Sequence, residues 1–143
     1  MALDLKIYNT LEKKEEVFIP INRNHVRIYA WGPTVYNYAH IGNARMAVVN
    51  DLLISVLKKI YSKVTYVSNI TDIDDKIIEA SNSTGVPIKE LTKKFTKIYN
   101  EDMAALGVKF PDIQPKATEH INEMINLTSK LIKLIPKDQC TNI

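Results

Sequence analysis

Three stretches decide the fold class: VRIYAWG (Val26–Gly32), NARMAVVNDLLISVLKKI (Asn43–Ile60) and KVTYVSNIT (Lys63–Thr71). The first is a short apolar and aromatic run ending at Gly32-Pro33, the pattern of a buried strand closed by a turn. The second carries apolar residues at 44, 46–49, 52–54, 56, 57 and 60, a stripe wide enough for a helix lying on a sheet. The third is rich in β-branched and aromatic residues and reads as a second buried strand. Strand, helix and strand in such close succession make a βαβ unit, whose strands pair in parallel. The class is therefore α/β.

Upstream, the first 25 residues form a polar opening. Downstream the pattern turns helical, with a short helix over 75–81 ended by Asn82-Ser83-Thr84-Gly85. Pro87 suits the first turn of a helix that runs to about Leu106 and stops at Gly107. Two prolines, Pro111 and Pro115, mark 108–116 as a loop. A last helix over 118–134 has a mostly apolar face (121, 124, 125, 127, 131, 132, 134 and 135), and Pro136 ends it. Without repeats or a linker, residues 1–143 read as one domain.

Apolar residues make up 45% and charged residues 24%, which excludes disorder by composition and a low-complexity chain. Residues 1–60 hold eight Lys/Arg against five Asp/Glu, so the whole charge of +3 sits there. No run of basic residues exceeds two, and charge does not advertise a nucleic acid or membrane partner. Lys93, Lys94 and Lys97 share a helix with Glu90, Glu101 and Asp102 and read as a solvated face. A single cysteine, Cys140, points to a reducing compartment. With no apolar leader near residue 1 and no membrane-length run, the expected location is the cytoplasm.

Chemistry concentrates where the first strand meets the first helix, Gly32-Pro33-Thr34-Val35-Tyr36-Asn37-Tyr38-Ala39-His40-Ile41-Gly42-Asn43. Ligands of open α/β sheets bind beyond the carboxyl ends of the strands, and a helix N-terminus favours phosphate. Gly42 would let a base or ribose approach the backbone, and His40 could reach phosphate oxygens. The same residues also suit a plain capping turn with a packed histidine. A second cluster, Asp72, Asp74 and Asp75, suits helix capping, with Mg²⁺ binding as the alternative. His25 and His120 read as surface or helix-face residues.

WGPTVYNYAHIGNAR and YVSNITDIDDKIIEA closely resemble the cysteinyl-tRNA synthetases, class I ligases with a Rossmann-type, HIGH-signature catalytic domain. KIYNTL (6–11) and ATEHI (117–121) add to the likeness, which covers about residues 5–134. The related cysteine ligases of mycothiol synthesis share part of the pattern. The resemblance implies a Rossmann half over about 5–85, a helical part over about 86–134 and an unrelated tail over 135–143. It implies ATP binding by Pro33, Thr34, His40, Ile41, Gly42 and Asn43, with His40 as the catalytic residue that stabilises charge on the α-phosphate. It also implies an amino-acid pocket walled by Gly32, Thr34 and Thr71. Cysteine, ATP and tRNA are the partners of the intact family.

Two departures follow from the same resemblance. Trp31 stands where the family has the first cysteine ligand of a zinc ion, the other ligands (a Cys, a His and a Glu) belonging beyond residue 143. An indole N–H only donates, so no zinc site is expected here. Cys140 lies in the unrelated tail and is not read as a ligand. The KMSKS loop and the anticodon-binding domain also belong beyond residue 143. The resemblance implies an N-terminal fragment of a ligase that attaches cysteine to its tRNA through cysteinyl-adenylate, inactive by itself. The alternative is a non-catalytic truncated product or nucleotide-binding remnant. Trp31 speaks against a half enzyme completed by a second polypeptide.

Overall fold

The computed structural model describes residues 5–134. The expected βαβ unit is present. β3 (Val26–Ala30) and β4 (Val64–Ser68) pair in parallel, Val26 opposite Val64 and Ala30 opposite Ser68, with α1 (Ile41–Ile60) as the crossover. α1 begins two residues earlier than the apolar stripe suggested, because His40 caps it. The polar opening is not loop. β1 (Lys6–Asn9) and β2 (Lys14–Val17) form an antiparallel hairpin whose turn is held by Asn9, its Oδ1 accepting from the Leu11 N–H (3.0 Å).

The segment expected as a proline-bearing loop supplies a third parallel run beside β4. Ile113 donates to the Tyr66 carbonyl (3.2 Å) and accepts from Ser68 (3.1 Å). Pro115 accepts from Ile70 (2.8 Å), and Ala117 donates to Ile70 (3.1 Å). Pro115 has no N–H, so the bond that a regular ladder would make to Ser68 is missing there. The resulting order, 113–117 then β4 then β3, is that of the first half of a doubly wound sheet.

Helices α2 (Asp75–Thr84) and α3 (Ile88–Ala105) pack together over the carboxyl end of this sheet. α2 runs through the polar stretch expected to end it and stops at Gly85, whose left-handed φ of 69° suits the residue after a helix. Pro87 precedes α3, and Gly107 (φ 79°) follows it. Val35, Ile70, Ile77, Leu91 and Phe95 form the core here, with Ile70 and Ile77 fully buried. At about 1.5–3 kcal/mol for each large apolar side chain buried, this cluster is what seats the strand–helix turn.

A 3-10 turn (Ala117–His120) leads into α4 (Ile121–Leu134), none of whose residues is buried. Its apolar stripe is present, but 3.6-residue periodicity specifies a face and not what covers that face. Residue 135, the stripe's last expected position, lies outside the described residues.

Asp72 ties this region to the sheet. The carboxylate is buried and accepts twice from Thr118, from its N–H at Oδ1 (2.9 Å) and its hydroxyl at Oδ2 (2.6 Å). Replacing it strands two donors, and bonds to a charged group contribute about 1.5–3 kcal/mol. Asp72→Ala is expected to lower the melting temperature by about 6–10 °C and to speed amide exchange at Thr118. Unchanged exchange at Thr118 would show that the carboxylate does not hold the turn.

Candidate functional site

Beyond β3 the parallel pairing resumes after a break. Thr71 donates to the Pro33 carbonyl (3.0 Å) and accepts from Val35 (3.2 Å), setting Thr34 and Thr71 side by side. Asn69 spans the break, its Oδ1 accepting from the Gly32 N–H (3.0 Å) and its Nδ2 donating to the Thr71 hydroxyl (3.1 Å). The three residues expected to wall an amino-acid pocket, Gly32, Thr34 and Thr71, are thus brought together through Asn69, which sequence reasoning did not single out. A Cβ on Gly32 would lie 1.5 Å from the Asn69 carbonyl oxygen. Only glycine lets the two strands approach this closely.

At the other end of the turn His40 occupies the N-cap of α1. Its Nδ1 accepts from the Gly42 N–H (3.0 Å), and Asn43 Oδ1 accepts in return from the His40 N–H (3.1 Å), forming a capping box. The capping part of the plain reading therefore holds, but the histidine is exposed rather than packed. Capping does not exclude the ligand-binding reading. With Nδ1 accepting, the neutral ring carries its proton on Nε2, leaving one donor free. The first turn of α1 holds no acidic residue, so the positive end of the helix dipole is not neutralised within it. Gly42 makes room for the histidine, because a Cβ there would lie 2.8 Å from His40 Cε1 and 3.0 Å from Nδ1.

These features border a cleft of about 220 Å³, lined by Pro33 to His40, Asn43, Asp74, Lys76 and Tyr99. Of the residues expected to bind nucleotide, Pro33, Thr34, His40 and Asn43 line it, while exposed Ile41 and Gly42 lie outside its lining. Gly32 and Thr71 stand behind it in the sheet. The structure adds Lys76, whose ammonium lies 5.7 Å from the centre of the Tyr36 ring and brings a positive charge. Its position in NITDIDDK was the available signal, obscured by the three carboxylates before it. Tyr99 also joins from α3, its hydroxyl pushed above the usual phenol range by burial and then by Tyr66. Pockets that enclose a small ligand run to roughly 300–1,000 Å³. This cleft is open and smaller, one wall of such a site.

Of the acidic cluster, Asp74 lines the cleft while Asp72 and Asp75 do not. Asp74 caps α2, its Oδ1 accepting from the Lys76 N–H (3.0 Å), and Asp75 lies in the first turn. With Asp72 holding Thr118, capping and local hydrogen bonding account for Asp74 and Asp72. His25 sits outside the cleft, its Nε2 2.8 Å from the Thr65 hydroxyl. Desolvation, then Lys63 and Arg27, push its imidazole below the usual range. His120 is exposed near Glu123 (4.0 Å), and Lys97 pairs with Glu101 (3.7 Å) on a solvated face. Among the described residues no helix is long and apolar enough to cross a membrane.

Residues 17–135 match the family described as the tRNA synthetases class I (C) catalytic domain. The chain belongs to this family. It is similar to the cysteine–tRNA ligase of Parvibaculum lavamentivorans, 54% identical over 130 residues, which are 91% of this chain and 28% of the relative. The cysteine–tRNA ligases of Wolbachia pipientis subsp. Culex pipiens (51% over 129 residues, 90% and 28%) and Rhodospirillum rubrum (48% over 130 residues, 91% and 28%) are similar over the same share. The chain thus spans about 28% of the length of these curated relatives.

Within this class I chain the donor set does not fit a zinc ion. Trp31, 74% exposed, offers only an indole N–H. No group of three or more His, Cys, Asp or Glu side chains able to hold a metal occurs among the described residues. Cys140 lies outside them.

Proposed function

We propose that this chain carries the ATP-binding wall of an adenylate-forming site, the part of a cysteine–tRNA ligase that receives the α-phosphate. The observation that carries the proposal is His40 at the N-cap of α1, its Nδ1 taken up by the Gly42 N–H so that Nε2 is left for a ligand, beside a helix N-terminus with no acidic residue in its first turn. As the carboxylate of the amino acid attacks the α-phosphorus and pyrophosphate leaves, negative charge grows on the α-phosphate oxygens. A donor held in place beforehand stabilises that charge at the moment it develops. Pro33, Thr34, His40 and Asn43 then face the nucleotide, with Ile41 and Gly42 in the adjoining first turn of α1 and Lys76 adding a positive charge beside the Asp74 carboxylate. Gly32, Thr34 and Thr71 line the approach of the amino acid, cysteine in the relatives' case. The setting is the cytoplasm, where ATP and tRNA are available.

A second reading, a non-catalytic remnant that keeps the turn, is favoured by Trp31, which stands where the resemblance expects the first zinc-ligand cysteine. Charging of tRNA would then need the remaining portion, from a continuing chain or a second polypeptide. Both readings share the half-site, for which millimolar ATP affinity, about 4 kcal/mol, is the expectation. Titrating ATP into the 143-residue chain should shift resonances of residues 32–45 in NMR spectra, with no turnover in a cysteine- and tRNA-dependent charging assay. Absence of shifts in that turn would remove the nucleotide proposal. Turnover above a no-enzyme control would remove the remnant reading.

A further inference from the structure

Phe95, Tyr99 and Met103 recur at four-residue spacing along α3 and so share one face of that helix. Phe95 and Met103 are buried, and Phe95 meets Tyr38 of the strand–helix turn edge-on, ring centres 5.3 Å apart. Tyr99, between them, lines the same cleft as His40, Asn43 and Lys76. Burial, then Tyr66, hold its hydroxyl above the usual phenol range, so it keeps its proton at neutral pH. Three other polar side chains of the cleft are spent on the backbone. Asn37 Oδ1 accepts from the Tyr38 N–H (2.8 Å), Asn43 Oδ1 from His40 and Asp74 Oδ1 from Lys76. Asn100 and Gln114, which stand beside Tyr99, pair with each other in both directions (3.2 Å each). Among the described residues none bonds the Tyr99 hydroxyl. No fully buried side-chain nitrogen or oxygen among them lacks a partner, so this hydroxyl is one that solvent reaches.

We propose, on the nucleotide reading above, that Tyr99 is a binding residue of the half-site and donates its hydroxyl proton to a phosphate oxygen of the ligand. His40 then approaches the phosphates from the N-terminus of α1, and Tyr99 approaches them from α3. A donor flanked by Phe95 and Met103 is poorly solvated, and it gains most from an acceptor that carries charge. Lys76 brings charge to the cleft on a flexible, hydrated stem, whereas the phenol brings a direction fixed by packing. The ribose hydroxyls are the rival acceptors, and they carry no charge.

Labelling the tyrosine Cζ atoms with carbon-13 gives each hydroxyl its own signal in NMR spectra of the 143-residue chain. Tripolyphosphate should move the Tyr99 signal, adenosine should not, and ATP should move it together with the backbone signals of residues 32–45. Tyr99→Phe removes only a hydroxyl that no described residue bonds, and should weaken binding of ATP and of tripolyphosphate about fivefold. Tyr66→Phe, at a residue outside the lining of the cleft, should leave both affinities at the parent's values. A Tyr99 signal that tripolyphosphate leaves in place, or that adenosine moves instead, overturns the proposal. So does a Tyr99→Phe variant that binds as tightly as the parent. In each of these cases the nucleotide reading survives as long as ATP still shifts residues 32–45. If ATP shifts nothing in the parent chain, both fall.

Discussion

Gly32→Ala is expected to lower the melting temperature by about 10–15 °C, the largest stability effect of any single methyl group in this chain. The added Cβ would sit 1.5 Å from the Asn69 carbonyl oxygen, a bonding distance, and backbone on both sides leaves no flexible group to yield. Relief requires separating β3 from β4 where Gly32 donates to Asn69 and where Thr71 bonds Pro33 and Val35. Losing those bonds over the buried Val35–Ile70 cluster costs about 3–5 kcal/mol, a large share of a typical domain's stability. Gly85→Ala is the control. Its φ of 69° strains an alanine, but nothing lies within 4 Å of the new Cβ, so about 1 kcal/mol and a few degrees are expected. Thermal unfolding followed by circular dichroism separates the two. Equal small shifts would mean that the close approach at Gly32 is not what holds the strands in register.

Gly42→Val should abolish ATP binding while leaving the fold in place. Even a bare Cβ meets the His40 ring at 2.8 Å, and valine adds two methyl groups beside it. The imidazole is the movable partner, so it swings away, the cap at α1 is lost at about 1 kcal/mol, and the ring leaves its place in the lining of the cleft. The same bulk occupies the space a nucleotide needs over the first turn. His40→Ala removes the donor but keeps the helix N-terminus, Lys76 and the open space, so it should weaken binding about fivefold to tenfold, the worth of one hydrogen bond. NMR titration with ATP ranks the two variants against the parent. If Gly42→Val still shows ATP-dependent shifts at residues 32–45, the half-site lies elsewhere, whatever the stability of the variant.

The βαβ unit and the bounds of α3 were legible in the residues because their signals are local. Alternation of apolar and β-branched residues marks β3 and β4, the wide stripe marks α1, and Pro87 and Gly107 bracket α3. The turn between β3 and α1 was also legible as a site, since a strand end, a histidine and a glycine meet within a few residues. Lys76 and Tyr99 were not, because they reach the cleft from α2 and α3.

By itself, then, the sequence determined which segments are helix or strand wherever periodicity is contiguous, and where the chemistry would gather. Only the tertiary structure decided that 113–117 is a sheet member, because its bonds run from backbone to backbone across 46 residues and leave no trace in side-chain pattern. It decided the tasks of Asp72 and Asn69 for the same reason. A carboxylate or amide names its capacity to bond, and distance in the folded chain names the partner. It also separated the two glycines of the turn, Gly32 clearing a backbone oxygen and Gly42 a histidine ring. And it left the apolar stripe of α4 and the outward edge of β3 uncovered, because amphipathicity states which face avoids water without stating what will lie against it.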